Sequence, residues 1–210
     1  MSGAVSHKRD EKLRFRLRAA THDQHRATED MFALERRIAT RASYRDLLVA
    51  LYGFHAGIER RFRGLGLESA LDPEQRLAKA AWIAQDLLAL GLQDSDIARI
   101  PLCDMLPDIA SPAEALGALY VTEGATLGGQ VILKEIKARL GLTPDRGARY
   151  FASYGMRIGV MWQGFLTVLE TEGRDPEAAR AMEGAARATF VAFGAWLPPL
   201  PKLPMIGSVA

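Results

Sequence analysis

The chain has 210 residues, 49% of them apolar, with one cysteine and a formal net charge of +2. That length supports one domain able to enclose a ligand, no apolar run approaches the roughly 20 residues of a membrane span, and a single Cys103 excludes an intrachain disulfide and a thiolate metal cluster. Residues 1–15 lack the apolar segment of a secretory signal, so a reducing, cytoplasmic location is expected.

Ala, Leu, Arg and Glu dominate and no stretch alternates apolar and polar residues over strand length, so the expected class is all-α. A first helix is expected over residues 10–32. A second is expected to start at Ser43, read with Asp46 as a capping box, and to end near Gly64. Asp72-Pro73 should open a third that stops at Gly91. Residues 93–109 read as loop with one helical turn. Ser111, Pro112 and Glu114 then supply cap, first-turn proline and capping-box carboxylate for a long helix closed by Gly141. Thr143-Pro144 starts a short turn, residues 149–171 a long helix ended by Gly173, and Asp175-Pro176 the last helix, to Leu197. Residues 10–197 are thus expected to form one helical domain, with 1–9 and the proline-rich 198–210 as mobile tails.

Charge is unevenly spread: residues 1–63 hold 14 Lys and Arg against 8 Asp and Glu. The arginines alternate with acids and no nucleic-acid motif accompanies them, so nucleic acid is not the expected partner. A ligand bearing carboxylates or an acidic protein fits this third of the chain, and for any single arginine a solvated helix face is the plain alternative.

At 100° per residue, Leu13, Leu17, Ala20, Gln24, Ala27 and Met31 form one stripe, the expected buried side of the first helix. His25 flanks it, with Arg18 and Glu29 just beyond, while His22 lies about 60° further round. His25 is therefore the better candidate for a buried ring and His22 for a solvent-facing one. A carboxylate at i+4, as Glu29 is, can bond the ring nitrogen that does not touch a metal. Arg18, roughly 10 Å back along the axis, could hold a ligand's carboxylate. Spacing alone favours the plainer reading, a partly buried histidine bonded to Glu29 and a surface arginine. His7 lies in the N-terminal tail, and His55 reads as a satisfied core or boundary residue. No Glu-x-x-His pair occurs, which argues against a di-iron carboxylate bundle.

The helix opened by Pro112 carries Gly117, Gly124, Gly128 and Gly129 in its interior, each costing about 1 kcal/mol relative to alanine. Gly124 and Gly128 are one turn apart and present bare backbone to a neighbouring helix or a flat ligand, and the Gly128-Gly129 pair predicts a kink. Close helix packing is the simpler account. Tyr120 weighs against it, because its phenol stands one turn before Gly124 at the edge of the bare patch. Gly155 and Gly159 read as ordinary close packing, and Met161, Trp162, Phe165, Phe190 and Phe193 as core.

Two motifs together resemble the haem oxygenase family, in its bacterial branch. The first is Leu17-Arg18-Ala19-Ala20-Thr21-His22-Asp23-Gln24-His25 with Glu29 following, similar to the family's proximal helix. The second is Tyr120-Val121-Thr122-Glu123-Gly124-Ala125-Thr126-Leu127-Gly128-Gly129, similar to its distal helix. The resemblance spans residues 11–197. It implies a single-domain multi-helix bundle that holds haem between a proximal and a kinked distal helix. His25 would be the axial iron ligand and Glu29 its hydrogen-bonding partner. Arg18 and Tyr120 would bind the propionates, and Gly124 and Gly128 would let the distal backbone approach the catalytic side of the ring. Haem would be both cofactor and substrate, cleaved with O₂ and donated electrons to biliverdin, carbon monoxide and ferrous iron. The implied partners are an acidic ferredoxin-like or flavoprotein electron donor and a biliverdin acceptor such as a phytochrome. The sequence departs from the pattern at Ala125, where family members carry Asp or Ser. A water network would then rest on backbone groups, on Arg157 or on the Glu123 carboxylate. Two alternatives accompany this reading: a non-catalytic haem-binding or haem-sensing protein on the same fold, and a helical interaction module without haem.

Overall fold

The computed structural model describes residues 12–67, 72 and 76–199; among them every regular element is helical. The chain begins with α1 (Leu13–Ala20) and α2 (His22–Phe32), two helices where periodicity predicts one. The break is Thr21, whose backbone leaves the helical region at φ −112° and ψ 3°. Its hydroxyl donates to the Leu17 carbonyl at 2.8 Å, the back-bonding by which a buried threonine bends a helix. The predicted stripe therefore holds only in α1, where Leu13 and Leu17 are buried. In α2 no residue is buried and Met31 is 43% exposed.

Glu170, reaching across from a later helix, accepts from the Leu13 and Arg14 amides at 2.9 and 3.2 Å. A carboxylate is favoured there because the first amides of a helix lack partners and carry partial positive charge. Ala33, left-handed at φ 38°, separates α2 from the short α3 (Leu34–Arg37). Arg37 is buried and ties this corner to the far end of the chain, donating to the carbonyls of Phe32 and Pro198, both at 2.9 Å. Pro198 and Pro199 aside, the tails expected to be mobile lie outside the described residues.

The capping box of α4 (Arg41–Arg61) is built on Thr40 and Ser43, three residues before the predicted start at Ser43. Ser43 is the third residue of the helix rather than its cap. The helix expected from Asp72 is interrupted: the Arg76 amide closes one turn on the Asp72 carbonyl, but α5 runs only over Lys79–Ala89. The single turn α6 (Asp94–Ile97) interrupts the loop as expected. Ser111, Pro112 and Glu114 start α7 (Pro112–Leu140), 29 residues long, which runs through Gly128-Gly129 without interruption and ends on Gly141 at φ +68°.

Pro144–Arg146 forms a 3-10 turn. The predicted helix over 149–171 divides into α8 (Arg149–Ala152), a sharp turn, a 3-10 turn at Gly155–Arg157 and α9 (Ile158–Glu172). Gly155 is consequently a turn residue with φ +58°, and a Cβ on Gly155 or Gly159 would meet nothing within 4 Å among the described residues, so neither packs closely as expected. The last helix, α10 (Pro176–Trp196), is capped by Asp175.

Two apolar clusters hold these elements together. One joins α1, α7, α9 and α10 through residues such as Leu17, Leu119, Phe165 and Met182. The other joins α4 and α5 to the end of α7 through Tyr44, Leu48, Ile83 and Ile136, and Phe193 packs against both. At the crossing of α7 and α10 a Cβ on Gly117 would lie 2.2 Å from the Met182 carbonyl oxygen, so glycine there lets the two backbones meet. No helix among the described residues is long and apolar enough to cross a membrane.

Candidate functional site

A cavity of about 970 Å³ opens between α2 and α7, at the upper end of the range for small-molecule sites. It is floored by aromatic and aliphatic groups such as Phe54, Trp162, Leu166 and Phe193, and its mouth carries Arg14, Arg18 and Arg26. The arrangement suits a large apolar ligand with anionic edges.

The six predicted site residues, Arg18, His25, Glu29, Tyr120, Gly124 and Gly128, all line this cavity. His25 is not buried as predicted. Its side chain is 56% exposed, close to the 60% of His22, because the break at Thr21 turns α2 toward the cavity instead of the core. What separates the two rings is their surroundings. His25 stands edge-on to Phe190 with centroids 5.6 Å apart, and its Nδ1 faces the Glu29 carboxylate at 3.5 Å. His22 pairs with its exposed neighbour Asp23. Facing Glu29 with Nδ1 leaves Nε2 as the ring nitrogen for a metal.

On the α7 side, Tyr120 is half-buried with its ring 5.8 Å from that of Trp162. Burial raises its phenol pKa, partly offset by the Arg18 guanidinium and a hydrogen bond with Thr21. Tyr120 and Arg18 thus converge on one end of the cavity. The four glycines of α7 divide by role. Gly117 and Gly129 meet neighbouring backbone, the latter with a Cβ position 2.7 Å from the Phe151 carbonyl oxygen. At Gly124 a Cβ would meet only a Trp162 ring atom, 3.8 Å away, and at Gly128 nothing within 4 Å among the described residues. Helix packing explains the first pair, and bare backbone presented to the cavity the second.

Neither side chain named as a support for a water network lines the cavity. Arg157 is exposed, with Nη2 against the Met161 sulfur at 3.7 Å, and does not line the cavity. Glu123 is 1% exposed and has both oxygens engaged: Arg76 Nη1 and Lys79 Nζ each donate to it at 2.6 Å and the Tyr154 hydroxyl at 2.8 Å. It pins the back of α7, one residue before Gly124, to α5 and to the turn ahead of α9. Periodicity could not reveal this set, although a charge within the largely apolar stretch that follows Glu114 in α7 was a signal that it needed buried partners.

His55 of α4, expected only as a satisfied core or boundary residue, is both that and part of the cavity wall. It is 3% exposed and its Nε2 shares a 2.9 Å hydrogen bond with the Tyr150 hydroxyl. Burial, helped by nearby Lys79, pushes its pKa down to about 3, so the ring is neutral. Asp86 supports Tyr150 by accepting from the Arg149 and Tyr150 amides at 2.6 and 2.9 Å, and its own pKa is raised by burial to about 6.

Residues 11–198 match the model of the Heme oxygenase family. The chain is 28% identical over 184 residues to Heme oxygenase PigA of Pseudomonas aeruginosa, covering 85% of this chain and 88% of that one. Its fold is that of the NO- and CO-bound heme oxygenase of Neisseria meningitidis (TM-score 0.75, 24% identity, 88% and 89% of the two chains). It is also that of the heme-complexed heme oxygenase-1 of the cyanobacterium Synechocystis (TM-score 0.69, 17% identity, 89% and 90%).

Proposed function

The chain belongs to the haem oxygenase family, and on that premise we propose that it degrades haem in the cavity between α2 and α7, with His25 as the axial ligand. The observation that carries the residue assignment is the convergence of His25, Arg18, Tyr120 and the unfilled backbone of Gly124 and Gly128 on that one space. When bound, haem would supply the redox chemistry for its own O₂- and electron-dependent conversion to biliverdin, carbon monoxide and ferrous iron.

The protein's part is to bind, orient and exclude. His25 presents Nε2 from the α2 wall, and Glu29 behind it fixes the ring's tautomer and orientation. Arg18 and Tyr120, at one end of the cavity, would hold the propionates by charge-assisted and phenolic hydrogen bonds. Gly124 and Gly128 would let haem approach the backbone of α7 and offer no bulky acid–base side chain there. The basic N-terminal third, including Arg14, Arg18 and Arg26 at the mouth, favours approach of an acidic ferredoxin-like or flavoprotein electron donor. The product would leave to an acceptor such as a phytochrome or be discarded after iron recovery.

Reconstitution with haem followed by reductant tests the reading. The wild-type protein should show a Soret band that decays as biliverdin absorbance grows. His25→Ala should alter that band and stop turnover. A wild-type Soret band that persists under reductant and O₂ would identify a haem carrier instead, and unchanged spectra and turnover in His25→Ala would overturn the ligand assignment.

A further inference from the structure

Between α8 and α9 the chain reverses at Ser153 (φ 48°, ψ −123°) and Tyr154 (φ −80°, ψ 3°), the angles of a type II′ turn. The first central position of that turn is normally glycine, because a Cβ is disfavoured there. Ser153 is nonetheless held in place on several sides. Its amide donates to the Arg149 and Tyr150 carbonyls at 3.1 Å, and its carbonyl accepts from Arg149 Nη1 at 2.5 Å. That guanidinium lies over the Trp82 ring, 4.5 Å from its centroid.

The side chain offers a reason for serine at a glycine position. Ser153 is 4% exposed and forms part of the cavity wall, and its hydroxyl has no hydrogen-bond partner among the described residues. Buried polar groups are nearly always paired, so such a group calls for a partner. The other hydroxyls on this wall are engaged: Thr126 donates to the Glu123 carbonyl at 2.7 Å and Tyr150 is bonded to His55. The segment also abuts α7 at Gly129, with the Phe151 carbonyl against that glycine and Gln130 Nε2 donating to the Ala152 carbonyl at 3.2 Å. Ala125, on the same stretch of α7, has no polar group to offer.

We propose that the Ser153 hydroxyl holds a water molecule at the cavity wall where the turn after α8 meets α7, and that this water donates a hydrogen bond to the ligand on the α7 side of the haem. Ser153 is thereby a positioning residue for proton supply, an inference that rests on the haem reading above. The ionisable groups around it, His55 of α4, Lys79 of α5, and Arg149 and Tyr150 of α8, keep their own contacts when the hydroxyl is removed.

Ser153→Gly and Ser153→Ala test this, since the first relaxes the turn and the second keeps its strain, while both lose the hydroxyl. The ligand-free Ser153→Gly protein should melt at or a few degrees above the wild type, which establishes that it folds. A hydrogen-bond donor at this wall favours the alkaline form of the ferric haem complex. The midpoint of its acid–alkaline absorbance transition should therefore rise by about half a pH unit in both variants, the order expected for one hydrogen bond. Midpoints unmoved from the wild type, or moving apart in the two variants as a backbone effect would make them, overturn the proposal alone. A wild-type protein that takes up no haem overturns the underlying reading and this inference with it.

Discussion

Glu123→Ala should destabilise the ligand-free protein severely, and the size of the effect can be worked from its contacts. The carboxylate is 1% exposed and faces two cations, Arg76 at 7% and Lys79 at 2%, each at 2.6 Å. Truncation leaves Arg76 with the Met161 carbonyl and Lys79 with the Arg76 carbonyl, but, among the described residues, no counter-charge at ion-pair distance for either. Breaking a buried ion pair in this way costs about 3–5 kcal/mol, a large share of the roughly 5–15 kcal/mol that holds a typical domain folded. In urea, with a slope of about 2–3 kcal/mol per molar for a chain of this size, the midpoint should fall by roughly 1–2 M. Far-ultraviolet circular dichroism across a urea series measures it. Glu123→Gln, which keeps an acceptor and the volume, should fall between Ala and wild type. Replacing Glu123, Arg76 and Lys79 together by apolar residues of similar size should recover much of the loss, because no charge is then stranded. If Glu123→Ala costs under about 1 kcal/mol, the value of an exposed pair, the two cations are hydrated and the assignment of this network as the anchor of α7 is wrong.

Three further outcomes follow from particular contacts. Gly117→Ala drives a methyl to 2.2 Å from the Met182 carbonyl oxygen and should cost about 1–3 kcal/mol or more by prising α7 from α10; Gly128→Ala, with open space beside it, should leave the ligand-free protein's melting point unchanged or raised while weakening haem uptake. Arg18→Ala should weaken haem affinity about tenfold, the lower end for a charge-assisted bond because the side chain is exposed, and a titration with no loss would remove Arg18 from the propionate site. The third concerns pH: His55 is neutral when folded, with its pKa lowered to about 3 by burial and Lys79, yet it protonates near its ordinary value when unfolded. Its contribution is present above about pH 6.5 and is lost as pH falls toward 3. Glu59 and Asp86, raised by burial to about 7 and about 6, act oppositely, stabilising as pH falls through those values. His55→Gln should therefore lose less stability than the wild type between pH 6.5 and 4.5, and equal slopes in chemical denaturation would refute the buried neutral ring.

Helix boundaries set by local chemistry were legible from the chain alone. Ser111-Pro112-Glu114, Gly141 and Asp175-Pro176 act through neighbours within one turn, and each stands where the sequence places it. Breaks that depend on tertiary surroundings were not legible. The Thr21 back-bond and the glycine-like backbone of Ser153 leave hydrophobic periodicity intact, so one expected helix became two and another became a helix, two turns and a helix. The buried ion network was hidden for a different reason: Arg76 and Lys79 reach Glu123 over 47 and 44 residues of chain, a separation at which spacing carries no signal.

The glycines of α7 show how these scales combine at the site. Sequence weighed helix packing against an approaching ligand for the set as a whole, and the structure answers separately for each position. Gly117 and Gly129 fix where α7 touches α10 and α8, and Glu123 clamps it to α5, so the helix is held by contacts on both sides of Gly124 and Gly128. Gly124 and Gly128 can then stay bare without α7 collapsing inward to cover them. The same clamp explains why a charged residue belongs beside Gly124: an apolar group at 123 could pack, but it would not tie α7 to two elements through two cations and a phenol. On this logic the position of α7 against the cavity is set by the Glu123 network, and loosening Glu123 should disturb haem binding as well as stability, whereas altering Gly128 should weaken haem binding without loss of stability.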